Sequence, residues 1–558
     1  MTGAPHAAGP TAALTLARAR AFAALAGLCV LLALAGIVLK HSPVPDNDMW
    51  DGCIAFFLDV EQGRWSAWFA RLNEHVPLFS RIFYWIDLRL LGGGLWLPAL
   101  ANFPAMLAGW ALMRGAALGL LPAGASAAQR LFVSSLLALL LFSYVQSGNV
   151  WSAFNIHFFL ACILPLSAFL CLGRALAEPA GRSRGWFLGS LALGAASIGT
   201  MANGILTLPL LTGMAILARQ PRARVAALAL ASLLVSGGYV YALLSAPPAA
   251  AAPGSGGAWH LLQIAAFVLI FVGSAAGRIF HTPVAAGIAG AAVLAVAALA
   301  LRRYLLGLDR RPQRLALCAL AGYVALSGAI AAPGRLAFGI EQAMTERYTT
   351  FSLYGIAAAL VLAMTRRPQS GEPGRRALGL AALGALVLFA VQLRALGDRP
   401  YEKHRLEVAA LALALPGNED IVDDYLYPDP VRLRAIAGRA IESRVGIFAD
   451  PALRDVAARL GQPRAASGLR PCDAALALRP AGAGERYLAV TGVLARAPAG
   501  TYRIWLADQR GILAGVALPG RALPGDHDGW WARKSRDGFD GFVERGGEDY
   551  TTWCEAPG

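Results

Sequence analysis

Apolar runs of about twenty residues recur along the first two thirds of the chain, separated by short polar loops. A run of this length forms a helix that crosses a hydrocarbon core of about 30 Å. The first run, Ala21 to Leu39, is followed by Lys40 and His41 rather than by a small-residue cleavage site. We therefore expect a retained first helix and not a removed signal peptide. The pattern predicts a polytopic α-helical membrane domain over residues 1–397, with about 11 to 13 transmembrane helices.

The pattern changes from residue 398 onward. Acidic residues and prolines become frequent, and apolar and polar positions alternate in "RYLAVTGVL" and "TYRIWLADQRGILAGVAL". Alternation bounded by glycine and proline is typical of β-strands, whereas the first part of this tail has a helical pattern. The sequence therefore predicts an α+β domain over residues 398–558 that ends in a small β-sandwich.

Composition and charge support the membrane interpretation. Of the 558 residues, 57% are hydrophobic and only 15% are charged, although the formal net charge is +15. Arginines cluster in short loops, as at Arg174/Arg182/Arg184 and Arg302/Arg303, which is typical of loops retained in the cytoplasm. The positive charge therefore does not indicate nucleic-acid binding. With the N-terminus inside, the first loop, residues 40–79, and the C-terminal domain lie outside, so we expect a bacterial inner membrane protein with a periplasmic tail.

One part of this topology needs a segment that does not cross. Two apolar segments, Trp259 to Gly277 and Val284 to Leu301, lie between the outer loop Ser245 to Gly257 and the inner Arg302. Two full crossings would place Arg302 outside. We expect Trp259 to Gly277 to re-enter the membrane or lie in its interface.

Two cysteines of the tail are candidates for a disulfide. Cys472 and Cys554 both lie in the polar C-terminal region. They are able to pair if this region lies in an oxidising compartment outside the cytoplasm.

The first loop concentrates residues typical of a functional site. Asp46, Asp48 and Asp51 lie within six positions at its entrance, and Glu74 and His75 lie at its exit. Carboxylates at a membrane surface are suited to general acid–base work on a substrate held in the headgroup layer. The alternative for each aspartate is a solvated loop entrance without a catalytic role.

Two stretches of this region, "DNDMWDG" and "NEHVPLFSRIFYWIDLRLLGG", resemble motifs of the GT-C superfamily. This superfamily contains polytopic glycosyltransferases that use polyprenyl-phosphate sugars, including aminoarabinose and protein-mannosyl transferases. Asp48 matches the acidic motif of the family's first loop, and Glu74 and Pro77 match its later acidic and proline positions. The usual aspartate–glutamate pair is spaced here as Asp46-Asn47-Asp48. The motifs cover roughly the first 115 residues.

The resemblance also implies a cation on the outer side that holds the phosphate leaving group. Arg347 is the first candidate and Arg335 the second, since arginine binds phosphate bidentately and stays charged. Tyr348, next to Arg347, and two histidines, His75 and His157, are expected to line the donor site. Alternatively, Arg347 pairs with a nearby glutamate or reaches lipid headgroups, and His157 is a hydrogen-bonded structural residue.

The resemblance thus predicts a glycosyltransferase that moves a sugar from a polyprenyl-phosphate donor to a glycan, lipid or protein acceptor outside the cytoplasm. Asp48 acts as the base, while Asp46 and Glu74 position the substrates. The alternative functions are a transporter or flippase, or a polymerase, of lipid-linked glycans. A divalent metal is compatible with the superfamily, but no metal-ligand spacing is visible, so neither a metal site nor another cofactor is expected.

Overall fold

The computed structural model describes residues 14–245, 258–365, 375–397, 400–419, 421, 426–481, 486–495, 499–520, 538–546 and 549–556. The outer loop expected at Ser245 to Gly257 lies outside the described residues, except for Ser245. The chain divides into two compact units. The first contains Met1–Val38, Asn73–Ser80 and Ala99–Ala395, and the second contains Leu39–Leu72, Arg81–Pro98 and Leu396–Gly558.

Within the described ranges the structure is mainly helical. In chain order the α-helices are α1 (Leu16–Lys40), α2 (Phe56–Glu61), α3 (Leu78–Leu90), α4 (Trp96–Leu120), α5 (Ala127–Leu141), α6 (Ser147–Trp151), α7 (Ile156–Ala177), α8 (Ala180–Ala196), α9 (Thr207–Leu217), α10 (Arg222–Ala231), α11 (Gly238–Leu244), α12 (Ala258–Val272), α13 (Ser274–Phe280), α14 (Pro283–Leu305), α15 (Pro312–Arg335), α16 (Thr349–Met364), α17 (Arg375–Gly397), α18 (Pro400–Leu413), α19 (Pro430–Glu442) and α20 (Val456–Arg459).

Nine helical stretches among the described residues are long and apolar enough to cross a membrane, or ten if a bent pair is counted as one more. This is the architecture of a multi-pass helical membrane protein, as the apolar runs predict. The number is lower than the predicted 11 to 13. The reason is length: α8 has 17 residues and α9 has 11, so each apolar run there forms a helix too short to count as a span.

The bent pair is α12 and α13, which meet at Gly273 with an angle of 74° between them. A side chain at Gly273 would lie 1.9 Å from the carbonyl oxygen of Ala286, and one at Gly290 would lie 1.9 Å from that of Leu269. Only glycine permits this close approach of α12 to α14. The break falls in the segment that we expect to re-enter, and a sharp bend is compatible with either a broken span or a re-entrant loop.

The second unit contains one antiparallel sheet. Its strands are β1 (Arg470–Pro471), β2 (Ala474–Pro480), β3 (Tyr487–Leu494), β4 (Arg503–Ala507), β5 (Leu513–Pro519), β6 (Gly538–Glu544) and β7 (Thr551–Glu555). They are ordered β1-β7-β4-β5-β6-β3-β2, all hydrogen-bonded into a single seven-stranded sheet. The alternating segments are therefore strands, as predicted, but they form one continuous sheet where the sequence suggested a sandwich of two.

The sheet has a compact apolar core with a disulfide in it. Val490, Ile504 and Phe539 are completely buried and belong to the same apolar cluster as Cys472 and Cys554. These two cysteines form a disulfide that links the start of the sheet to β7. The pairing that the sequence allowed is therefore present.

The first loop is part of the second unit. The sequence assigned residues 40–79 to the membrane domain, whereas Leu39–Leu72 clusters with the C-terminal region. Long-range contacts explain the difference. Arg439 on α19 donates to Asp59 at 2.7 Å, and the backbone N–H of Asn47 donates to the carbonyl of Leu426. Hydrophobic patterning does not encode such contacts, so they could not be predicted from the order of the residues.

Candidate functional site

The first unit brings together a carboxylate, an imidazole and a guanidinium. Glu74 Oε1 lies 3.4 Å from His75 Nε2 and 4.0 Å from Arg335 Nη2. The side chains of Glu74 and Arg335 are 46% and 31% exposed, so the charged groups are accessible. Glu74 and His75 begin the segment that leads into α3, and Arg335 ends α15. We call Glu74, His75 and Arg335 the charged triad.

The imidazole of His75 has a defined orientation. The backbone N–H of Ala202 donates to His75 Nδ1 at 3.1 Å, so this nitrogen carries no proton. In the neutral ring the proton is therefore on Nε2, which faces the Glu74 carboxylate. The hydrogen-bond network thus assigns the tautomer and produces a carboxylate–histidine pair.

Two further contacts hold this segment in place. The hydroxyl of Tyr239 on α11 donates to the backbone carbonyl of Glu74 at 2.5 Å. A Cβ at Gly199 would lie 3.0 Å from the ring of Phe79, so glycine there lets the segment pack closely. The backbone of the charged triad is therefore fixed from two sides, while its charged atoms stay exposed.

His157 lies near the triad but is buried. It is 4% exposed in the first turn of α7 and is close enough to His75 for their charges to interact. Its Nδ1 has no hydrogen-bond partner among the described residues. The imidazole also forms a hydrogen bond with the backbone of Phe154, so a hydrogen-bonded core histidine remains the alternative to a ligand-binding role.

Arg347 has a different environment from the one predicted for a paired arginine. Its side chain is exposed, and within the described part of the chain no ion pair involves it. The neighbouring Glu346 instead accepts from Ser147 Oγ at 2.5 Å and from the backbone N–H of Gly148 at 2.6 Å, and it lies 3.4 Å from Arg278. Glu346 is thus occupied by structural partners, and the guanidinium of Arg347 remains available for an anion.

Tyr348 is buried rather than presented to solvent. Its ring packs against Phe271 with centroids 4.8 Å apart, and it is 7% exposed. The contact joins the turn before α16 to the bent α12. Its predicted role at the donor site stays a prediction, and its packing role is visible.

In the second unit the three aspartates of the first loop differ in their partners. Asp51, which is 14% exposed, accepts from Arg432 Nε at 2.7 Å and also from Arg432 Nη2 and Tyr427. Burial and the hydrogen bond to Asp51 raise the pKa of Tyr427 to about 12. Asp51 is therefore a structural anchor between the loop and α19.

Asp48 is half-buried, and no hydrogen bond or ion pair of its side chain occurs among the residues that the structure describes. Its charge acts on the nearby Tyr427. The carbonyl of Asp46 accepts from the N–H of Met49, which forms the turn that carries both residues. Asp48 thus retains the free carboxylate that a base requires, whereas Asp51 does not.

The sequence analysis missed several of these residues. Tyr239, Arg432 and Tyr427 lie far along the chain from their partners, and no local pattern marks Tyr239 or Tyr427. One signal was present for Arg432: Asp429 followed by Pro430 is a helix start, and Asp429 accepts from the N–H of Arg432 at 3.0 Å.

Among the described residues, no group of three or more His, Cys, Asp or Glu side chains is arranged to hold a metal ion.

Comparison with known proteins adds no relative. No protein-family model, curated protein or solved structure matches this chain significantly. The interpretation of the site therefore rests on its residues and their geometry.

Proposed function

We propose that this chain is a membrane glycosyltransferase that moves a sugar from a polyprenyl-phosphate donor to a glycan, lipid or protein acceptor outside the cytoplasm. The observation that carries the proposal is the charged triad. An exposed carboxylate has an oriented imidazole 3.4 Å away and a partly exposed guanidinium 4.0 Å away, on a unit built of apolar helices.

The triad fits the chemistry of such a transfer. The acceptor hydroxyl oxygen forms a bond to the anomeric carbon as the bond from that carbon to the phosphate oxygen breaks. The hydroxyl proton passes to a carboxylate, for which Glu74 is suited, and His75 orients that carboxylate. The polyprenyl phosphate leaves with the bonding electrons, and Arg335 stabilises its negative charge, with Arg347 as a second cation.

Topology supports an extracytoplasmic site. The arginine-rich loops favour an N-terminus in the cytoplasm. With that orientation and with α12 and α13 re-entering, an odd number of crossings, nine, is compatible with a C-terminal region outside the cytoplasm. The Cys472–Cys554 disulfide is typical of that oxidising side. The periplasmic location in a bacterial inner membrane is part of the proposal.

The test is sugar transfer from a radiolabelled polyprenyl-phosphate sugar by the full-length protein in proteoliposomes. We expect Glu74→Gln to lower kcat by about 10²- to 10⁴-fold, as loss of a general base does. Arg335→Gln should lower kcat/KM. Asp48→Asn tests separately the base that the sequence predicts. The matched control is Glu61→Gln, which changes a carboxylate of the same loop that lies 3.2 Å from Arg89.

The outcomes distinguish the functions. Transfer by Glu74→Gln and Arg335→Gln at the wild-type rate removes the triad from the mechanism. Absence of transfer with every donor, together with movement of the intact lipid-linked glycan between leaflets, favours the transporter alternative. Chain elongation of a lipid-linked glycan favours a polymerase.

A further inference from the structure

A buried asparagine lies beside the charged triad with its amide oxygen unpaired. Asn203 is 9% exposed, and it follows Ala202, whose N–H donates to His75. The Oδ1 atom of Asn203 has no hydrogen-bond partner among the described residues. A buried acceptor without a partner is energetically unfavourable, so a ligand that supplies a donor there would gain affinity.

The orientation of this amide is determined by its surroundings. Asn203 Nδ2 donates to Ser327 Oγ at 3.0 Å, and Ser327 Oγ in turn donates to the carbonyl of Tyr323 at 2.8 Å. The hydroxyl proton of Ser327 is therefore already committed, and a flipped amide would place two acceptors against each other. The amide oxygen is the atom that remains free.

The backbone around Asn203 is rigid. A Cβ at Gly204 would lie 2.1 Å from the carbonyl oxygen of Ser197, so only glycine permits this turn. Thr200 Oγ1 donates to the same carbonyl at 2.6 Å. Asn203 is thus presented on a fixed turn between α8 and α9.

Asn203 and His157 lie at the same level of the first unit. The hydroxyl of Tyr323 on α15 donates to the carbonyl of Ala161 on α7 at 2.8 Å, which aligns the two helices. Ser327, the partner of Asn203, is one turn beyond Tyr323, and His157 is one turn before Ala161. Because the helices run in opposite directions along the chain here, both turns lie on the same side of that bond. Two buried polar groups with free atoms, Asn203 Oδ1 and His157 Nδ1, therefore lie on facing elements.

The charged triad lies beyond this level. Arg335 follows Ser327 by eight residues on α15, a rise of about 12 Å. His75 connects the two levels, since it contacts Glu74 on one side and the backbone before Asn203 on the other. Charged groups thus lie at the outer level and neutral, unpaired ones at the inner level.

We infer that Asn203 and His157 form a neutral subsite that binds hydroxyl groups of the sugar part of the donor. An amide oxygen and an imidazole nitrogen suit hydroxyl groups, whereas they offer no charge for a phosphate. This inference rests on the proposed function and adds a residue, Asn203, that determines which group attached to the lipid phosphate is accepted.

The experiment compares two probes on the full-length protein in nanodiscs: undecaprenyl phosphate and a panel of undecaprenyl-phosphate hexoses and pentoses. We expect the wild type to bind at least one sugar-bearing lipid more tightly than the bare lipid phosphate. Asn203→Leu should lower the affinity for that sugar-bearing lipid by about three- to tenfold, the value of one hydrogen bond, and leave the affinity for the bare lipid phosphate unchanged. Arg335→Gln should lower the affinity for both lipids.

The control is Asn102→Leu. Asn102 is a buried asparagine whose Oδ1 likewise has no hydrogen-bond partner among the described residues, but its Nδ2 donates to the carbonyls of Asn149, Val150 and Ser152 rather than to the Ser327 hydroxyl. Its loss should therefore lower thermal stability without changing the preference for the sugar, which separates the position of Asn203 from the general effect of an unpaired amide oxygen.

Equal weakening of both probes by Asn203→Leu, or loss of preference in both asparagine variants, would show a packing role and overturn the inference. So would equal binding of bare and sugar-bearing lipids by the wild type, which indicates that only water fills the subsite. If the wild type binds neither probe, the proposed function fails as well.

Discussion

Glu555 at the end of β7 is a half-buried carboxylate that joins β7 to β4 and α20. Its carboxylate is 17% exposed and accepts from Arg459 Nη1 at 2.6 Å, Arg503 Nε at 2.8 Å and Trp505 Nε1 at 2.8 Å. Burial opposes its charged form, but the hydrogen bonds from these residues and the charge of Arg503 outweigh burial and lower its pKa from 4.5 to about 2.

The magnitude follows from this pKa. A shift from 4.5 to about 2 corresponds to about 3 kcal/mol of folding free energy at neutral pH. Replacing the carboxylate also leaves Arg503, only 4% exposed, without its counter-charge, which costs a similar roughly 3–5 kcal/mol. We therefore expect Glu555→Gln to destabilise the sheet by about 3 kcal/mol at pH 7.

The pH dependence has a definite sign. Because the folded-state pKa lies below the unfolded value, the stabilisation is complete above about pH 5 and is lost as pH falls toward 2. At pH 3 roughly 1.4 kcal/mol should remain. The difference in free energy of unfolding between the wild type and Glu555→Gln therefore becomes smaller as the pH is lowered.

The assay is hydrogen exchange of the β4 and β7 amides in the full-length protein in detergent, corrected for intrinsic exchange at each pH. Glu544→Gln is the control, because Glu544 and its partner Arg486 are 48% and 46% exposed and such a pair contributes only about 0–1 kcal/mol. The reasoning is refuted if the loss of protection free energy caused by Glu555→Gln is as large at pH 3 as at pH 7, or if it is below about 1 kcal/mol at pH 7.

Two further predictions concern one contact in each unit. Asp51→Asn should weaken the bond to Arg432 and lower the free energy of protection against hydrogen exchange in residues 46–62 by about 1–3 kcal/mol. Unchanged exchange in these residues would contradict an anchoring role. Gly148→Ala places a Cβ 2.6 Å from the Glu346 carboxylate and should cost about 1–3 kcal/mol in thermal stability, whereas Gly115→Ala, with no atom within 4 Å, should be neutral; equal effects would disprove the close contact.

Local pattern was enough to predict several features. The apolar runs specify helices because each run satisfies its own backbone hydrogen bonds and is long enough for a bilayer. Alternation specified the strands of the tail, and composition marked the change near residue 398. The motif around Glu74 led to the charged triad, although its partners were not part of the pattern.

The hydrogen bonds and ion pairs between residues far apart in the chain could not be predicted from the sequence. The sequence alone does not distinguish Asp46, Asp48 and Asp51. In the structure Arg432, which is 381 positions from Asp51, donates to Asp51, whereas the Asp48 carboxylate has no partner among the described residues. In the same way Arg347 was ranked above Arg335, while Arg335 is the one that lies 4.0 Å from Glu74.

The sequence by itself determined that the chain forms many long apolar helices, although not their number, together with the strands of the tail and the cysteines able to pair. These features depend on the length, period and chemistry of neighbouring residues. Only the tertiary structure decided which charges meet, which buried amide oxygens lack a partner among the described residues, and which unit the first loop joins. Those outcomes depend on the packing of elements hundreds of residues apart. A hydrogen bond or ion pair between such residues produces no periodic pattern in the sequence from which it could be predicted.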